Sequence, residues 1–304
     1  MIKIPPYLQK HDTIAIVCPS GYMPFARMNM CIEVLQQWGF KVKPGKTAGS
    51  QFHYFSGTDE QRLEDLQQML DDKEVKAILC GRGGYGLSRI IDQLDFRQFT
   101  KHPKWIIGYS DITLLHAHLF SRTKVASLHS PMAGAFNDEG FKTEYVHSLQ
   151  KALTGKKYTY SCTPHELNRK GKASGMLVGG NLAMVVHGIG TASEIDSRDN
   201  LLFLEDVGEY LYNTDRMMMQ LKRAGKLDRL AGIIFGSFTE MKDTTIPFGS
   251  DIYSILYDKV KEYNYPVCFD FPIGHTVKNY ALKHGLPHEL SVGSKRVSLK
   301  EINL

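Results

Sequence analysis

The sequence predicts an α/β protein in which a parallel sheet, covered on both faces, is followed by a mixed α/β domain. Two observations carry the first half. Short apolar runs are continuous rather than alternating, as strands buried on both faces require. Each run leads through a turn into a helical apolar pattern, the rhythm of strand–helix–strand units. A third observation separates the halves: from Gly155 to Lys172 the pattern fades into polar and basic residues, and the strands beyond are less regular. This places an N-terminal domain at 1–154, a linker at 155–172 and a C-terminal domain at 173–304.

Ile14–Cys18 reads as the first buried strand, and Pro19-Ser20-Gly21 turns the chain. Cys31, Val34, Leu35 and Trp38 share one helical face, with Gly39 where a C-cap belongs. Thr58 and Gln61 form a capping box for a helix carrying Leu63, Leu66, Met69 and Leu70. Ala77–Cys80 is the next strand. A glycine turn and a helix through Leu87, Ile90 and Ile91 follow. Trp105–Ile107 then leads to Ser110 and a helix through Leu115 and Leu119. In the second half, strands are expected at Leu201–Leu204 and Ile233–Phe235 and near Val267 and Val292, with helices over Asp215–Arg223 and Asp251–Glu262.

With 304 residues, 42% apolar and 23% charged, the chain has the proportions of an ordinary globular protein. A net charge of +5 without an aromatic–basic ladder argues against a nucleic-acid partner. No stretch approaches the roughly 18 apolar residues of a membrane span, and the N-terminus lacks the apolar core of a secretory leader, so cytoplasmic residence is the expectation. The five cysteines are widely spaced and make no C-x-x-C pair, which argues against a zinc or thioredoxin-type site and fits a reducing compartment.

Chemistry is expected at the carboxyl ends of the first-half strands. In Gly108-Tyr109-Ser110-Asp111, Ser110 stands between a strand and a helix. It is either an exposed nucleophile beside helix N–H donors, or an N-cap shared with Asp111. The match to G-x-S-x-G is partial, since Ile112 replaces the last glycine. Gly81-Arg82-Gly83-Gly84-Tyr85-Gly86 satisfies G-x-G-x-x-G, so nucleotide binding is weighed. However, the motif follows a later strand, and the acid near the required distance, Asp95, does not end a strand. The rival reading is a turn presenting bare N–H groups to an oxyanion or a carboxylate. Glu205 and Asp206 close an apolar strand, either solvated there or orienting a histidine. His275 follows Gly274 on a loop. His116 and His118, two apart in a helix, do not share a face for a metal.

Together these pieces resemble the LD-carboxypeptidase family of serine peptidases, which includes the microcin C immunity peptidases. The resemblance rests on Cys18-Pro-Ser-Gly-Tyr22, Arg82-Gly-Gly-Tyr-Gly86 with Ser88-Arg89, Gly108-Tyr-Ser-Asp-Ile112, and Gly179-Gly-Asn-Leu182 with Gly190-Thr191. It continues through Leu204-Glu-Asp-Val207 with Tyr212 and Asp215-Arg216, and Gly274-His275 with Asn279. It implies a flavodoxin-like N-terminal domain, a mixed C-terminal domain with a small barrel-like sheet, an active site between them, a homodimer, and no metal or cofactor. The implied triad is Ser110, Glu205 and His275. The backbone of Asp111 and of Gly83 or Gly84 would hold the oxyanion, and Arg82 and Tyr85 would contact substrate.

The expected reaction is hydrolysis of the amide between an L-centre diamino acid and the terminal D-alanine of murein tetrapeptides, in peptidoglycan recycling. A peptidyl-nucleotide amidase of the microcin C immunity type is the nearest alternative. A nucleotide-binding protein using Gly81–Gly86 and a non-catalytic ligand-binding module are alternatives of other classes. The sequence departs from the family at Ser130, where glycine is expected, and in the short polar stretch Ala192–Asn200.

Overall fold

The computed structural model describes residues 2–303. The chain forms two compact units: residues 1–157 with 279–285, and residues 158–278 with 286–304.

The first unit begins with β1 (Thr13–Val17), α1 (Asn29–Gln37), β2 (Lys41–Pro44), α2 (Asp59–Asp71), β3 (Val75–Cys80), α3 (Arg97–Lys101), β4 (Trp105–Gly108), α4 (Thr113–Thr123), β5 (Ser127–His129) and α5 (Glu144–Leu153). The parallel strands lie in the order β2-β1-β3-β4-β5, the flavodoxin-like arrangement. Sheet growth reverses between β1 and β3, so the turns after these strands flank the crevice where such folds bind ligands. The capping box forms in both directions, between Thr58 and Gln61. Gly39 takes φ +94° after α1, a conformation costly for any residue with a Cβ. Ile78, Ile106, Leu66, Leu115 and Leu119 join one buried cluster. The predicted helix over Leu87–Ile91 is instead two short 3₁₀ turns, Leu87–Arg89 and Ile91–Gln93, although all three predicted apolar residues are buried. Tertiary burial is satisfied without the length an α-helix needs.

The second unit continues with β6 (Thr159–Cys162), β7 (Gly171–Asn181), α6 (Leu182–His187), β8 (Leu201–Val207), α7 (Leu211–Arg223), β9 (Gly232–Thr239), α8 (Ile252–Val260) and β10 (Val267–Cys268). Next comes β11 (Leu282–His284), which pairs antiparallel with β5 and belongs to the first sheet; β12 (Pro287–Val292) and β13 (Val297–Glu301) return to the second. The second sheet runs β10-β9-β8-β7-β12-β13-β6 and is mixed. β7 serves two neighbours: its first half pairs with β12 and its second with β8.

Two boundaries differ from the sequence reading. The stretch 155–172, expected as a linker, contains β6, whose polar side chains are tolerated because it pairs with β13 at the sheet edge. The C-terminal region is interrupted by 279–285, because Leu282–His284 pairs with β5 and its side chains are buried there.

Candidate active site

The serine-bearing turn is built from three segments of the first unit. β4 ends at Gly108, where a Cβ would come within 3.0–3.1 Å of Ile112 side-chain atoms. Ser110 takes φ +65°, a left-handed conformation that costs a non-glycine residue about 1–2 kcal/mol. Such strain persists where surrounding contacts hold it and is concentrated at functional sites. Ser110 is half-buried, and its hydroxyl makes no hydrogen bond among the described residues. Neither Ser110 nor Asp111 caps α4 with its side chain. The Asp111 carboxylate is buried and accepts from Ser20 Oγ (2.5 Å) and the Leu87 amide (3.0 Å), tying together the turns after β1, β3 and β4.

Gly83 is packed against the serine. A Cβ there would lie 2.9 Å from Ser110 Cβ, 3.0 Å from its Oγ and 3.3 Å from the Asp111 nitrogen. The Gly83 carbonyl accepts from the Gly21 amide at 3.0 Å. The amides of Gly83 and Gly84 have no acceptor among the described residues. Gly84 takes φ +98°, and a Cβ would collide with Tyr54 Oη. Sequence reasoning missed Arg62. Its buried guanidinium donates to the carbonyls of Pro19, Gly57 and Gly86 and pairs with Asp59. Its position on α2 gives no local sign of this role. His116 is buried and meets the Gly108 carbonyl through Nε2 at 2.8 Å; burial pushes its pKa down to about 4, against the opposing pull of that hydrogen bond. It is a neutral support for the turn.

Of the predicted substrate contacts, Arg82 is exposed and donates to the Tyr22 carbonyl at 2.6 Å, with no ion pair among the described residues. Tyr85 is exposed beside the Phe55 ring. Asp95, the residue weighed as a ribose acid, lies on a loop and pairs with Arg97.

The second unit supplies an acid–histidine pair. β8 continues through Val207, so Glu205 and Asp206 lie inside the strand, both buried, rather than solvated at its end. Glu205 Oε2 is 2.7 Å from His275 Nδ1. Burial lowers the His275 pKa, but the Glu205 hydrogen bond and charge, with the charges of Asp206 and Glu240, outweigh it, and the net shift is upward. Room for the carboxylate comes from two glycines whose role the sequence reading did not identify. A Cβ at Gly274 (φ +118°) would stand 2.8 Å from Glu205 Oε2, and one at Gly236 would stand 3.2 Å from Glu205 Cβ. Asp206 accepts from Asn181 Nδ2, the Val207 amide and the Ala183 amide, linking β8 to the start of α6. Burial and the neighbouring Glu205 charge push its pKa up to about 6. Among the described residues, no group of three or more His, Cys, Asp or Glu is arranged to hold a metal ion.

Residues 14–130 match the LD-carboxypeptidase N-terminal domain, and residues 174–290 match the LD-carboxypeptidase C-terminal domain. A probable murein peptide carboxypeptidase of Bacillus subtilis is 36% identical over 96% of this chain and 92% of its own length. The chain belongs to the LD-carboxypeptidase family. This LD-carboxypeptidase is a serine-type hydrolase by that membership. It is also similar to the crystal structure of muramoyltetrapeptide carboxypeptidase from Oxalobacter formigenes (TM-score 0.85, 26% identity, covering 96% of this chain and 99% of that one). The microcin C7 self-immunity protein MccF of Escherichia coli is 27% identical over 89% of this LD-carboxypeptidase and 87% of its own length. No helix among the described residues is long and apolar enough to cross a membrane.

Proposed function

We propose that this LD-carboxypeptidase removes the terminal D-alanine from murein tetrapeptides by cutting the amide that joins it to the L-centre of a diamino acid. The observation that carries this reading is Ser110 held at positive φ against the bare backbone of Gly83. In an α/β hydrolase turn, such strain exposes a nucleophile and places it beside oxyanion donors.

In this reading Ser110 Oγ attacks the carbonyl carbon while His275 Nε2 takes its proton. Glu205 accepts a hydrogen bond from the Nδ1–H of His275, fixes the tautomer and stabilises the imidazolium. The amides of Asp111 and of Gly83 or Gly84 hold the oxyanion. Collapse of the tetrahedral intermediate breaks the C–N bond, His275 protonates the departing amine, and D-alanine leaves. Water then attacks the acyl-serine with the same base. Arg82 and the glycine turn are candidates for the substrate carboxylate, with Tyr85 beside them. A cytoplasmic homodimer acting in peptidoglycan recycling fits this chemistry.

A peptidyl-nucleotide amidase is the second reading, favoured by the likeness to MccF. It calls for an aromatic ring against the base, and Ala192–Asn200 contains none, which supports the murein reading. Incubating the protein with a defined murein tetrapeptide and with an aminoacyl sulfamoyl adenosine, followed by mass spectrometry, tests both. Release of D-alanine alone supports the proposal; cleavage of the nucleotide conjugate alone overturns it.

A further inference from the structure

Beyond Arg82 and Tyr85, a third side chain reaches the glycine turn: Tyr54, in the segment between β2 and α2. Phe52 and Phe55 close a tight turn around it. The Phe52 amide donates to the Phe55 carbonyl at 2.8 Å, and the Phe55 amide donates to the Phe52 carbonyl at 2.9 Å. Two further bonds tie this turn to the segment after β1. The Tyr22 amide donates to the Tyr54 carbonyl at 2.9 Å, and the Ser56 amide donates to the Ser20 carbonyl at 3.2 Å. The Tyr54 ring stands edge-on to Phe55, with centroids 5.4 Å apart. Its backbone and its ring are therefore both held.

Two glycines leave the space that this side chain borders. A Cβ on Gly84 would stand 2.6 Å from Tyr54 Oη. A Cβ on Gly21 would stand 3.7 Å from Tyr54 Cε1 and 3.7 Å from Arg82 Nε. The tyrosine and the arginine thus face one space above Gly21. Tyr54 is exposed, and its hydroxyl makes no hydrogen bond among the described residues. Arg82 Nη1 donates to the Tyr22 carbonyl, while its Nε and Nη2 meet no acceptor among the described residues.

We infer that Tyr54 Oη and the Arg82 guanidinium together bind the terminal carboxylate of the substrate, which makes Tyr54 a specificity-determining residue. The inference rests on the proposed release of D-alanine. The scissile nitrogen and the carboxylate belong to the same departing amino acid, so the carboxylate must be held within a few ångströms of the reacting carbonyl. Gly83 packs against Ser110, and Gly84, next in the chain, packs against Tyr54; consecutive Cα atoms are about 3.8 Å apart. The guanidinium supplies charge and a planar fork of donors that matches a carboxylate. The phenol supplies one more donor, and bonds to an ionised acceptor are the strong class. A chain that continues past this point, or ends in an amide, brings no charge to the pair.

The test compares two substrates that differ only at that terminus: a murein tetrapeptide ending in D-alanine and the same tetrapeptide ending in D-alaninamide. The native enzyme should prefer the acid in steady-state kinetics. Tyr54→Phe keeps the ring and its contact with Phe55 and removes only the hydroxyl. It should raise KM for the acid about 10–100-fold with kcat little changed, because the lost bond is to a charged group present in both the ground state and the transition state. For the amide, kcat/KM should fall only a few-fold. A native enzyme indifferent to the terminus, an unchanged KM for the acid in Tyr54→Phe, or an equal loss on both substrates would each overturn the inference and leave the proposed reaction standing. Cleavage of neither substrate by the native enzyme would remove the proposed reaction and this inference with it.

Discussion

His275 Nδ1 stands 2.7 Å from Glu205 Oε2, and the carboxylate it meets is wholly buried. The pair is held from behind by two positions without side chains, Gly236 and Gly274. A buried carboxylate facing one imidazole leaves the other ring nitrogen as the basic one, the division of labour a general base requires.

The raised pKa of His275 fixes the direction of one pH effect. In the proposed mechanism the base must be neutral, so kcat/KM should rise with pH through a value above the usual histidine pKa of about 6.5. Glu205→Gln removes the charge that raises it. That variant should show its acid limb at lower pH and a kcat reduced by about 10²–10⁴. A pH–rate profile of both proteins checks this; an unmoved acid limb would detach His275 from Glu205.

Gly83→Ala should cripple turnover more than folding. Its Cβ would press on Ser110 Cβ and Oγ, displacing the nucleophile and the turn proposed to hold the oxyanion. Loss of one such donor costs about 10²–10³ in kcat. Steady-state kinetics beside a thermal melt would show kcat falling by that factor with a small change in Tm.

Ser110→Ala and Ser110→Gly should both be inactive but differ in stability. Alanine inherits the φ of +65°, whereas glycine accepts it without strain. Ser110→Gly is therefore expected to be more stable than Ser110→Ala by about 1 kcal/mol, measured by urea unfolding. Retained hydrolysis in either variant would remove Ser110 from the reaction.

Asp206 predicts a stability slope. Its carboxyl, raised to about 6 from an ordinary value of 3.8, binds its proton more tightly folded than unfolded. Its stabilising contribution is present below about pH 4 and is lost as pH rises towards and through 6. His275, also raised, adds a loss in the same direction from about pH 6.5 upward. Asp206→Asn should flatten the decline between pH 4 and 6 in denaturant titrations, even though the amide cannot accept all three of the bonds Asp206 receives.

Local chemistry was legible in the chain. The apolar runs at Ile14–Cys18, Ala77–Cys80 and Trp105–Ile107, the Thr58–Gln61 capping box and the Gly39 stop are short-range signals, because helix periodicity, capping and turn geometry act within a few residues. They fixed a parallel sheet with glycine turns and Ser110 at its carboxyl edge. The motif order then pointed to the LD-carboxypeptidase family. Spacing alone left Ser110 either a cap or a nucleophile. No side chain caps α4, and the backbone angle and the approach of Gly83 support the proposed nucleophile; the approach of Gly83 joins segments far apart in sequence.

The strand–turn–helix rhythm of the first half and the residue types at its turns are therefore written in the local sequence. The tertiary structure decided which of those residues meet. It sent Leu282–His284 back to pair with β5, drew the polar stretch around Thr159–Cys162 into a sheet, and buried Arg62 beneath three loop carbonyls. It also sank Glu205 inside β8 against Gly236 and Gly274. All but the Arg62–Gly57 bond join residues tens of positions apart or more, or depend on the absence of a side chain at a distant glycine. No local periodicity records such a contact, because its energy comes from burial and hydrogen bonds that exist only once the chain has folded.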